Sequence, residues 1–511
     1  MEVNRLQQLA QAFIQWSALT FLFVLGIAIL AIVVIYLVDK TQTSHTIRRN
    51  YPVVGRFRYL LEHLGGFFRQ YFFAMDREEL PFNRADRSWV YRAAKQVDTT
   101  IAFGSTRALN IEGDVIFLNS AFPTLDRDVV EPEPLTIGEA GCIKPFTTKS
   151  ILNISGMSFG AISEPAVRAL SNGAREAGIW MNTGEGGLSP YHLEGDCDIV
   201  LQIGTAKYGV RDKDGKLSDD KLREVAAHEQ VRMFEIKMSQ GAKPGKGGIL
   251  PGEKVTAEIA ALRGIGVGQD SISPNGHEDV RSVDDLLDMI NRVRSVTGKP
   301  TGFKMVVGQV EFFHDLFKAI HTRGLFHAPD FITIDSADGG TGAAPQPLMD
   351  YVGMPLSQSL PLIVDLLHEY GLRHRIKVIA SGKLITPGKV AWALGTGADF
   401  CTSARGFMFA LGCIQALQCN KNTCPTGIAT HSKDLQRGLV PADKAARVTA
   451  YAKKLVYGVG LIAHSCGANE PRGLRRKHMR IIEHGAASRI MSELYPKPEV
   501  RPEYIARTTT L

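Results

Sequence analysis

Short β-rich runs alternate with helical segments from about residue 150 onward, and this alternation restricts the fold more than any other feature of the sequence. Strands that alternate with helices form parallel βα units. Eight such units across about 260 residues favour a closed (β/α)8 barrel, the TIM barrel, over an open sheet. The predicted fold class is therefore α/β. The candidate strands are ILNIS (151–155), IWMNT (179–183), FEIKM (234–238), GFKMV (302–306), DFITID (330–335), IKVIAS (376–381) and DFCTS (399–403), with a further one near residue 271.

The loops after the last two candidate strands have the composition of phosphate-binding loops. IASGKLITPGK (379–389) ends its strand with Ser381 and Gly382, and ADFCTSARGFMF (398–409) ends its strand with Ser403 and Ala404. Backbone N–H groups at such strand-to-helix turns bind phosphate, and barrels often use the loops after strands 7 and 8 for this purpose. The alternative is that these small residues only make tight turns.

Charged residues occur at the ends of the fifth and sixth strands. Lys304 lies in an apolar strand, so its charge must be offset. At the barrel mouth it would stabilise negative charge on a reduced flavin, and a salt bridge to a neighbouring carboxylate is the alternative. The sixth strand leads to Asp335, to Asp338 and to a glycine-rich run that begins with Gly339 and Gly340. Such a run lets the backbone approach a planar ligand, although it is a weak signal alone.

Two earlier loops contain further candidates for a reaction pocket. Glu185 lies between glycines in NTGEGG (182–187), at a predicted strand end. A glutamate of this kind is either part of the pocket or an ordinary surface carboxylate. Lys243 and Lys246 belong to a basic loop that faces either an acidic substrate or water.

Three cysteines lie close together in ALGCIQALQCNKNTCPTG (410–427), shortly after the second phosphate loop. Cys413, Cys419 and Cys424 can hold a metal or an iron–sulfur cluster, but they cannot supply the four thiolates of ordinary [2Fe–2S] and [4Fe–4S] clusters. A zinc site with His431 as fourth ligand is an alternative, although structural zinc sites usually show closer cysteine pairs. The remaining cysteines are isolated and are predicted to be small buried hydrophobes: Cys142, Cys197, Cys401 and Cys466.

The N-terminus carries an uncharged apolar stretch from Phe13 to Val38. It exceeds the roughly 20 residues that span a bilayer, which favours a retained transmembrane helix over a cleaved signal peptide. Only Arg5 is basic before the stretch, whereas a set of basic residues follows it: Lys40, Arg48, Arg49, Arg56 and Arg58. The positive-inside rule then predicts a single-pass membrane protein whose catalytic domain is cytoplasmic. The segment that follows is predicted either to lie on the membrane surface as a basic amphipathic helix or to pack as a cap.

Composition excludes two broad classes. The net charge is +7, but the basic residues form no long run, so nucleic acid is not an expected partner. Seven cysteines with no regular framework argue against a secreted disulfide scaffold.

Several long motifs, in this order, resemble the FMN-binding synthase domain of bacterial and plant glutamate synthase. The resemblance covers roughly 145–435. Its matching stretches are SGMSFGAIS (155–163), NTGEGG (182–187), IKMSQGAKPGKGG-x-LPG-x-KV (236–255), the SISP–HED loop, DGGTGAAP (338–345) and ALGC-x5-C-x2-NTCP-x-G (410–427).

The resemblance implies FMN at the mouth of a (β/α)8 barrel with a [3Fe–4S] cluster beside it. Cys413, Cys419 and Cys424 would be the cluster ligands, Lys304 would lie near flavin and cluster, and Glu185 would lie in the reaction pocket. The other residues that the resemblance assigns to the flavin are Met157 and Ser158 beneath the ring, and Ser381, Gly382, Ser403 and Ala404 in the phosphate loops. Asp338, Gly339 and Gly340 are further cofactor-binding candidates, because their glycine-rich loop lies at the same end of the barrel.

The sequence departs from the family in several respects. A membrane span stands where the amidotransferase domain is expected, a C-terminal glycine-repeat domain is not expected, and no dinucleotide fingerprint opens a βα unit. ASGKL and TSARG replace more glycine-rich phosphate loops. Electrons are therefore expected from an external donor: an NADPH-dependent small subunit, ferredoxin or a quinol.

The predicted activity is that of a glutamate synthase-like oxidoreductase, which acts on CH–NH2 donors and reduces 2-iminoglutarate, formed from 2-oxoglutarate and ammonia, to L-glutamate. Two alternatives remain open: an enzyme like N-methylglutamate synthase that uses an amine, and a membrane-tethered electron-transfer subunit. The predicted domains are a membrane anchor (1–40), a linker and helical cap (41–145), the synthase barrel (146–435) and a C-terminal helical extension (436–511).

Overall fold

The computed structural model describes residues 2–239 and 241–508. It contains two compact units, one up to Arg84 and one from Ala85 onward. The helices are α1 (Glu2–Thr41), α2 (Thr46–Asn50), α3 (Gly55–Phe68), α4 (Arg84–Ala94), α5 (Glu164–Ala177), α6 (Pro190–Leu193), α7 (Asp219–Ala226), α8 (Ala257–Arg263), α9 (Val283–Thr297), α10 (Glu311–Arg323), α11 (Gln346–Tyr351), α12 (Leu356–Glu369), α13 (Pro387–Thr396), α14 (Arg405–Leu411), α15 (Lys433–Gln436), α16 (Pro441–Ser465), α17 (Met491–Leu494) and α18 (Pro502–Thr508).

The strands are β1 (Val115–Phe117), β2 (Leu135–Ile137), β3 (Phe146–Thr148), β4 (Leu152–Ile154), β5 (Met181–Asn182), β6 (Ile199–Ile203), β7 (Val231–Lys237), β8 (Ile249–Leu250), β9 (Ser271–Ile272), β10 (Thr301–Val306), β11 (Phe331–Asp335), β12 (Lys377–Ser381), β13 (Phe400–Ser403), β14 (Met479–Ile482) and β15 (Ser488–Ile490).

The first unit consists of α1–α3 and a π-helical turn, Arg69–Phe73. Within α1, residues Gln7–Thr41 are long and apolar enough to cross a membrane, with a hydropathy of 3.2 over their most apolar window. This is a statement about length and composition, which a signal sequence also satisfies.

The second unit is built around a closed barrel of eight parallel strands. Around the barrel the strands run β4, β5, β6, β7, β10, β11, β12 and β13, and β13 closes on β4 through Cys401 opposite Leu152. The predicted TIM barrel is therefore confirmed. Strands such as β6 and β11 are buried along their whole length, because a parallel barrel covers them on both faces.

One predicted barrel strand was wrong. The strand near residue 271 is β9, which pairs with β8 outside the barrel, and the eighth barrel strand is β6. Between β5 and β6 lie a three-residue 3-10 turn, Gly184–Gly186, and the four-residue α-helix α6. This connection is shorter than the 10–15-residue helix that the alternating pattern leads one to expect.

A small hairpin closes the amino end of the barrel. β2 and β3 are antiparallel, and Ile137 and Phe146 from this hairpin pack against Trp180, Phe331 and Phe400 at the beginnings of barrel strands. The aromatic rings meet edge to face, with Trp180 5.1 Å from Phe400 between centroids. Because this end is filled by side chains, a ligand has access only at the carboxyl ends.

Helices surround the barrel in the order α5, α7, α9, α10, α12, α13 and α16, with α16 between α13 and α5. The helix predicted in SVDDLLDMINRVRSVTG is α9. Ser282 caps its start by accepting a hydrogen bond from the Asp285 N–H, and Gly298 ends it in the left-handed conformation.

The C-terminal extension (436–511) was expected to be helical but is not helical throughout. α16 is followed by the antiparallel strands β14 and β15, and β14 also pairs with β1. These three short strands form backbone hydrogen bonds with one another, and the local sequence pattern does not reveal this pairing.

Candidate functional site

A cavity opens at the carboxyl ends of the barrel strands, and we call it the central cavity. Its lining residues run from Ser155 to Ala429, so it brings together segments that are distant in the chain. Ten predicted site residues line it: Met157, Ser158, Glu185, Lys304, Gly340, Ser381, Gly382, Ser403, Ala404 and Cys419. Among the described residues, four other predicted site residues do not belong to its lining: Asp338, Gly339, Cys413 and Cys424.

Lys304 lies at the floor of the central cavity and is almost fully buried. Its ammonium is 3.2 Å from Asp335 Oδ2, and it also donates long hydrogen bonds to the hydroxyls of Ser155 and Ser381. Burial alone would lower the pKa of Lys304, but the carboxylates of Asp335 and Glu235 outweigh it and raise the pKa above its ordinary value. A cation is therefore held at the cavity floor.

Ser381 completes this arrangement by donating a hydrogen bond of 3.1 Å to Asp335 Oδ1. The Ser381 side chain therefore contacts both members of the Lys304–Asp335 ion pair. The sequence had instead suggested that Ser381 belongs to a phosphate-binding loop. The neighbouring strand ends bring the three residues together, since Asp335 lies opposite Ser381 in the β11–β12 register.

Glu185 enters the cavity from the short turn after β5. Lys237 at the end of β7 donates a hydrogen bond of 2.9 Å to Glu185 Oε2, and both side chains are largely buried. A carboxylate and an ammonium therefore face the cavity as a pair. Such a pair attracts a ligand that carries groups of both signs.

A cluster of further basic side chains lines the same cavity. Arg263 donates to Ser271 Oγ and to the Phe159 carbonyl, and burial lowers its pKa. Lys243 donates to the Ala343 carbonyl at 2.7 Å, which joins the basic loop to the glycine-rich loop. Lys246, the other lysine of that loop, does not belong to the described cavity lining.

Lys254 is a third buried base of the lining. Its ammonium donates to the Ala161 carbonyl at 2.9 Å and to the Cys419 carbonyl at 3.3 Å. Burial lowers the pKa of Lys254 to about 8. Lys254 therefore connects the segment beneath the cavity with the cysteine loop.

The loops after β12 and β13 form one wall of the cavity. Gly382 has φ +135°, and a Cβ there would lie 2.3 Å from the Ser336 Cβ, so only glycine fits. The Lys383 ammonium pairs with Asp338 Oδ2 at 2.8 Å, which places Asp338 behind the wall rather than in it. Arg405, directly after Ala404, donates to the Thr341 carbonyl and thereby links this wall to the glycine-rich loop.

The cysteine loop lies against this wall. Arg405 Nη1 is 3.9 Å from Cys419 Sγ, and the Tyr91 hydroxyl donates to the Cys413 carbonyl. Burial raises the pKa of the Cys413 thiol. Burial also acts to raise the pKa of Cys424, but the Thr426 hydroxyl and nearby backbone N–H groups outweigh it and lower the pKa.

The three thiols do not form a metal site in this geometry. Between residues 2 and 508, leaving out position 240, no three His, Cys, Asp or Glu side chains converge closely enough to hold one metal ion. His431, the fourth ligand in the zinc alternative, is hydrogen-bonded to the Gly160 carbonyl at 2.8 Å, and burial lowers its pKa to about 4.

The four isolated cysteines lie away from the cavity lining, and burial raises the pKa of each thiol: Cys142, Cys197, Cys401 and Cys466.

Sequence reasoning missed several cavity residues. Lys237 is the last residue of strand β7 and belongs to the quoted motif IKMSQGAKPGKGG, so its position at a strand end was an available signal. Arg405 is part of the quoted loop TSARG, and a cation beside a phosphate loop was also an available signal. Arg263 and Lys254 lie in α8 and in the turn before it, where nothing local indicates that they point inward.

Comparison with known proteins gives one family match. The family model described as a conserved region in glutamate synthase matches residues 114–469. This range contains the whole barrel and the cysteine loop.

Among curated relatives, the chain is 40% identical to a glutamate synthase large subunit-like protein of Bacillus subtilis, over 89% of this chain and 94% of that protein. It is 36% identical to the archaeal glutamate synthase [NADPH] of Methanocaldococcus jannaschii, over 64% of this chain. That match spans 61% of the archaeal protein's length.

Solved structures with a similar fold include a mandelate oxidase with (S)-2-phenylpropionate, at 16% identity and a TM-score of 0.43 over 78% of this chain and 98% of that chain. A lactate oxidase of Pediococcus acidilactici has 12% identity and a TM-score of 0.44 over 77% and 86% of the two chains. Values this low carry no conclusion about function.

Proposed function

This chain belongs to the glutamate synthase family, and from that premise we propose that it is a glutamate synthase-like oxidoreductase. Its reaction is the reduction of 2-iminoglutarate, formed from 2-oxoglutarate and ammonia, to L-glutamate. The observation that carries the proposal is the central cavity, where Lys304, the Glu185–Lys237 pair and the two loops after β12 and β13 face one space.

The residues of this cavity suit FMN in two respects, which are the positive charge at its floor and the glycine and basic residues of its wall. The buried ammonium of Lys304 offers a positive charge at the floor, where a reduced flavin ring is negative. The wall offers Gly382, Lys383 and Arg405, which suit a phosphate group by close backbone approach and positive charge. Met157 and Ser158 would lie beneath the ring, while Ser403 and Ala404 would complete the phosphate loop.

Cys413, Cys419 and Cys424 are the proposed ligands of a [3Fe–4S] cluster. The support is the chemistry of the donors, because three thiols share one loop and local hydrogen bonds lower the pKa of Cys424, although the described side chains do not converge on a single ion. When bound, FMN supplies hydride transfer and the cluster supplies one-electron transfer. The electron donor would be an external partner: an NADPH-dependent small subunit, ferredoxin or a quinol.

The substrate's two carboxylates are proposed to bind the basic side chains of the cavity. Arg263 presents a planar guanidinium that suits a carboxylate, and Lys243 lines the same cavity. Because Arg263 is buried among Ser158, Phe159 and Ser271, its orientation is fixed before the substrate arrives. This fixed orientation would hold the imine carbon in one position.

Glu185 is the proposed partner of the substrate nitrogen. Its Oε2 already accepts a hydrogen bond from the Lys237 ammonium, and this contact fixes the orientation of the carboxylate. A negative carboxylate would attract ammonium and would hold a proton at the imine nitrogen during reduction. The contact with Lys237 would restrict the positions that the Glu185 carboxylate can take in the cavity.

We also propose that α1 is a single membrane span that leaves the barrel on the cytoplasmic side. The support is the length and composition of Gln7–Thr41, together with the basic residues that follow it. The proposed domains are the anchor (1–40), the linker (41–145), the synthase barrel (146–435) and the C-terminal extension (436–511).

Flavin reoxidation tests the reaction. The full chain, purified without oxygen in detergent and reduced chemically, should reoxidise only when 2-oxoglutarate and ammonium are both present. Reoxidation by 2-oxoglutarate and methylamine, without any by ammonium, would favour the N-methylglutamate synthase-like alternative. If neither mixture oxidises the flavin while quinone or ferredoxin does, the electron-transfer alternative replaces the synthase.

Electron paramagnetic resonance tests the cluster separately. The anaerobic protein should show a [3Fe–4S] signal that is lost when Cys413, Cys419 or Cys424 is replaced by serine. Cys466→Ser is the control, since this buried cysteine lies outside the loop. Zinc in place of iron in the purified protein would contradict the assignment.

A further inference from the structure

The helix α3 in the first unit has an apolar face that the described helices of that unit leave exposed. Phe57, Leu60, Leu61, Leu64 and Phe68 recur at three- and four-residue spacing, which puts them on one side of the helix. Phe57, Leu60, Leu61 and Phe68 are 45–63% exposed. This is more exposed apolar surface than a helix in water ordinarily carries.

The same face continues into the π-helical turn Arg69–Phe73. Phe72 and Phe73 in that turn are 75% and 74% exposed. The opposite side of α3 carries polar groups such as Arg58 and Glu62, which are exposed as well. The segment is therefore amphipathic from Gly55 to Phe73.

The start of α3 is fixed beside the end of α1. Asp39 is buried in the last turn of α1, where it accepts hydrogen bonds from the Arg56 guanidinium at 2.8–3.0 Å and from the Val53 N–H at 3.0 Å. Gly55 packs so closely on the preceding helix that a Cβ would lie 2.9 Å from the Ile47 carbonyl oxygen. These contacts place the first turn of α3 at the level where the apolar part of α1 ends.

Charge near this junction is strongly positive. Residues 39–73 contain six basic side chains against two acidic ones, and one of the acidic ones, Asp39, is already paired with Arg56. Basic residues next to a membrane span attract anionic headgroups. Exposed apolar and basic residues thus occur together in the segment that follows α1.

We propose that α3 and the turn Arg69–Phe73 lie in the surface of the membrane that α1 crosses, with the apolar face in the acyl region and the basic residues among anionic headgroups. This inference rests on the proposed membrane span of α1. An amphipathic helix in this position is immersed by roughly 5–10 Å. Continuity with α1 through the Asp39–Arg56 contact favours lipid over a protein partner.

Photocrosslinking in a bilayer tests the proposal. The full chain is reconstituted in nanodiscs of phosphatidylcholine with phosphatidylglycerol. Leu61→p-benzoylphenylalanine reports on the apolar face, and Glu62→p-benzoylphenylalanine, one residue away on the polar face, is the matched control. Leu30→p-benzoylphenylalanine reports on α1, and Phe57→p-benzoylphenylalanine is a second probe of the apolar face. Mass spectrometry of the labelled peptides identifies what each position reached.

Lipid adducts are expected at Leu30, Leu61 and Phe57, with loss of the adduct at Glu62. Removing phosphatidylglycerol should lower the yield at Leu61 but leave that at Leu30 unchanged. Lipid at Leu30 with only protein adducts at Leu61 and Phe57 would overturn the proposal and assign the face to the barrel or to a second copy. Equal lipid adducts at Leu61 and Glu62 would also overturn it. No lipid at Leu30 would overturn the membrane span itself, and the inference with it.

Discussion

The ammonium of Lys304 lies 3.2 Å from the Asp335 carboxylate at the floor of the barrel mouth, and both side chains are buried. They come from adjacent strands, since β10 pairs with β11 in parallel register. An isolated ammonium in this position would cost several kcal/mol, so the carboxylate is what keeps the cation charged. Lys304 therefore has the salt bridge that the sequence offered as an alternative, and it also lines the cavity, while its role toward a flavin stays a prediction.

Removing the carboxylate should destabilise the barrel. In Asp335→Asn the Lys304 ammonium loses its nearest counter-charge, and we expect the free energy of unfolding to fall by about 3 kcal/mol. Urea-induced unfolding of the full chain in detergent measures it. The double variant Asp335→Asn with Lys304→Met removes both charges and should recover most of the loss. Equal stability of the single variant and the unaltered chain would show that the pair is not held as a buried ion pair.

Glu185→Gln should slow turnover while the flavin stays bound. The amide keeps the size of the side chain but loses the charge that faces Lys237 and the cavity. We expect kcat to fall by roughly 10²–10⁴-fold, the usual contribution of a positioned acid–base group. Glu224→Gln, on the exposed surface of α7, is the control and should leave kcat unchanged. A variant with normal kcat would remove Glu185 from the reaction.

Gly382→Ala should weaken flavin binding. The new methyl group would clash with Ser336, and the φ of +135° is unfavourable for alanine, so the wall after β12 must shift. The flavin content of the purified chain measures this, and we expect most of it to be lost. Gly388→Ala in α13 is the matched control, because a Cβ there meets nothing within 4 Å. Full flavin content in Gly382→Ala would place the cofactor elsewhere.

Acid should lower the free energy of unfolding by protonating the buried His192. Burial lowers the pKa of His192 to about 4, and its ring accepts the Ser189 N–H at 3.1 Å. Because the folded pKa lies below 6.5, the unfolded chain binds more protons between pH 6.5 and 4. The free energy of unfolding should therefore fall with pH in this window, by up to about 3 kcal/mol from this residue. Urea unfolding at several pH values should show a smaller fall in His192→Gln, and an identical slope would contradict the assignment.

The barrel could be predicted from the sequence because the residue spacings that mark strands and helices occur within short stretches of chain. Seven of the eight barrel strands were found within a few residues, whereas β6 was missed because only the four-residue α6 precedes it. The pairing of β1 with β14 joins residues more than 360 positions apart, and no local pattern reveals such a contact.

Part of the site was also predicted, because the positions of residues on strands follow from local sequence patterns. Residues in the second half of a strand or just after it, such as Lys304 and Gly382, do line the cavity, because strand direction determines at which end of the barrel they lie. Asp338 was expected there too, but its pairing with Lys383 turns it away, and that contact depends on two different loops. Arg263 lies in the short helix α8, and only the tertiary structure shows that it reaches Ser158.

Product identity is the most direct test of the proposed reaction. The chemically reduced full chain is mixed without oxygen with 2-oxoglutarate and ¹⁵N-ammonium, and the products are analysed by mass spectrometry. We expect ¹⁵N-labelled L-glutamate in proportion to the flavin reoxidised, and little or none from Glu185→Gln. Reoxidised flavin without labelled glutamate would contradict the assignment of this chain as a glutamate synthase-like enzyme.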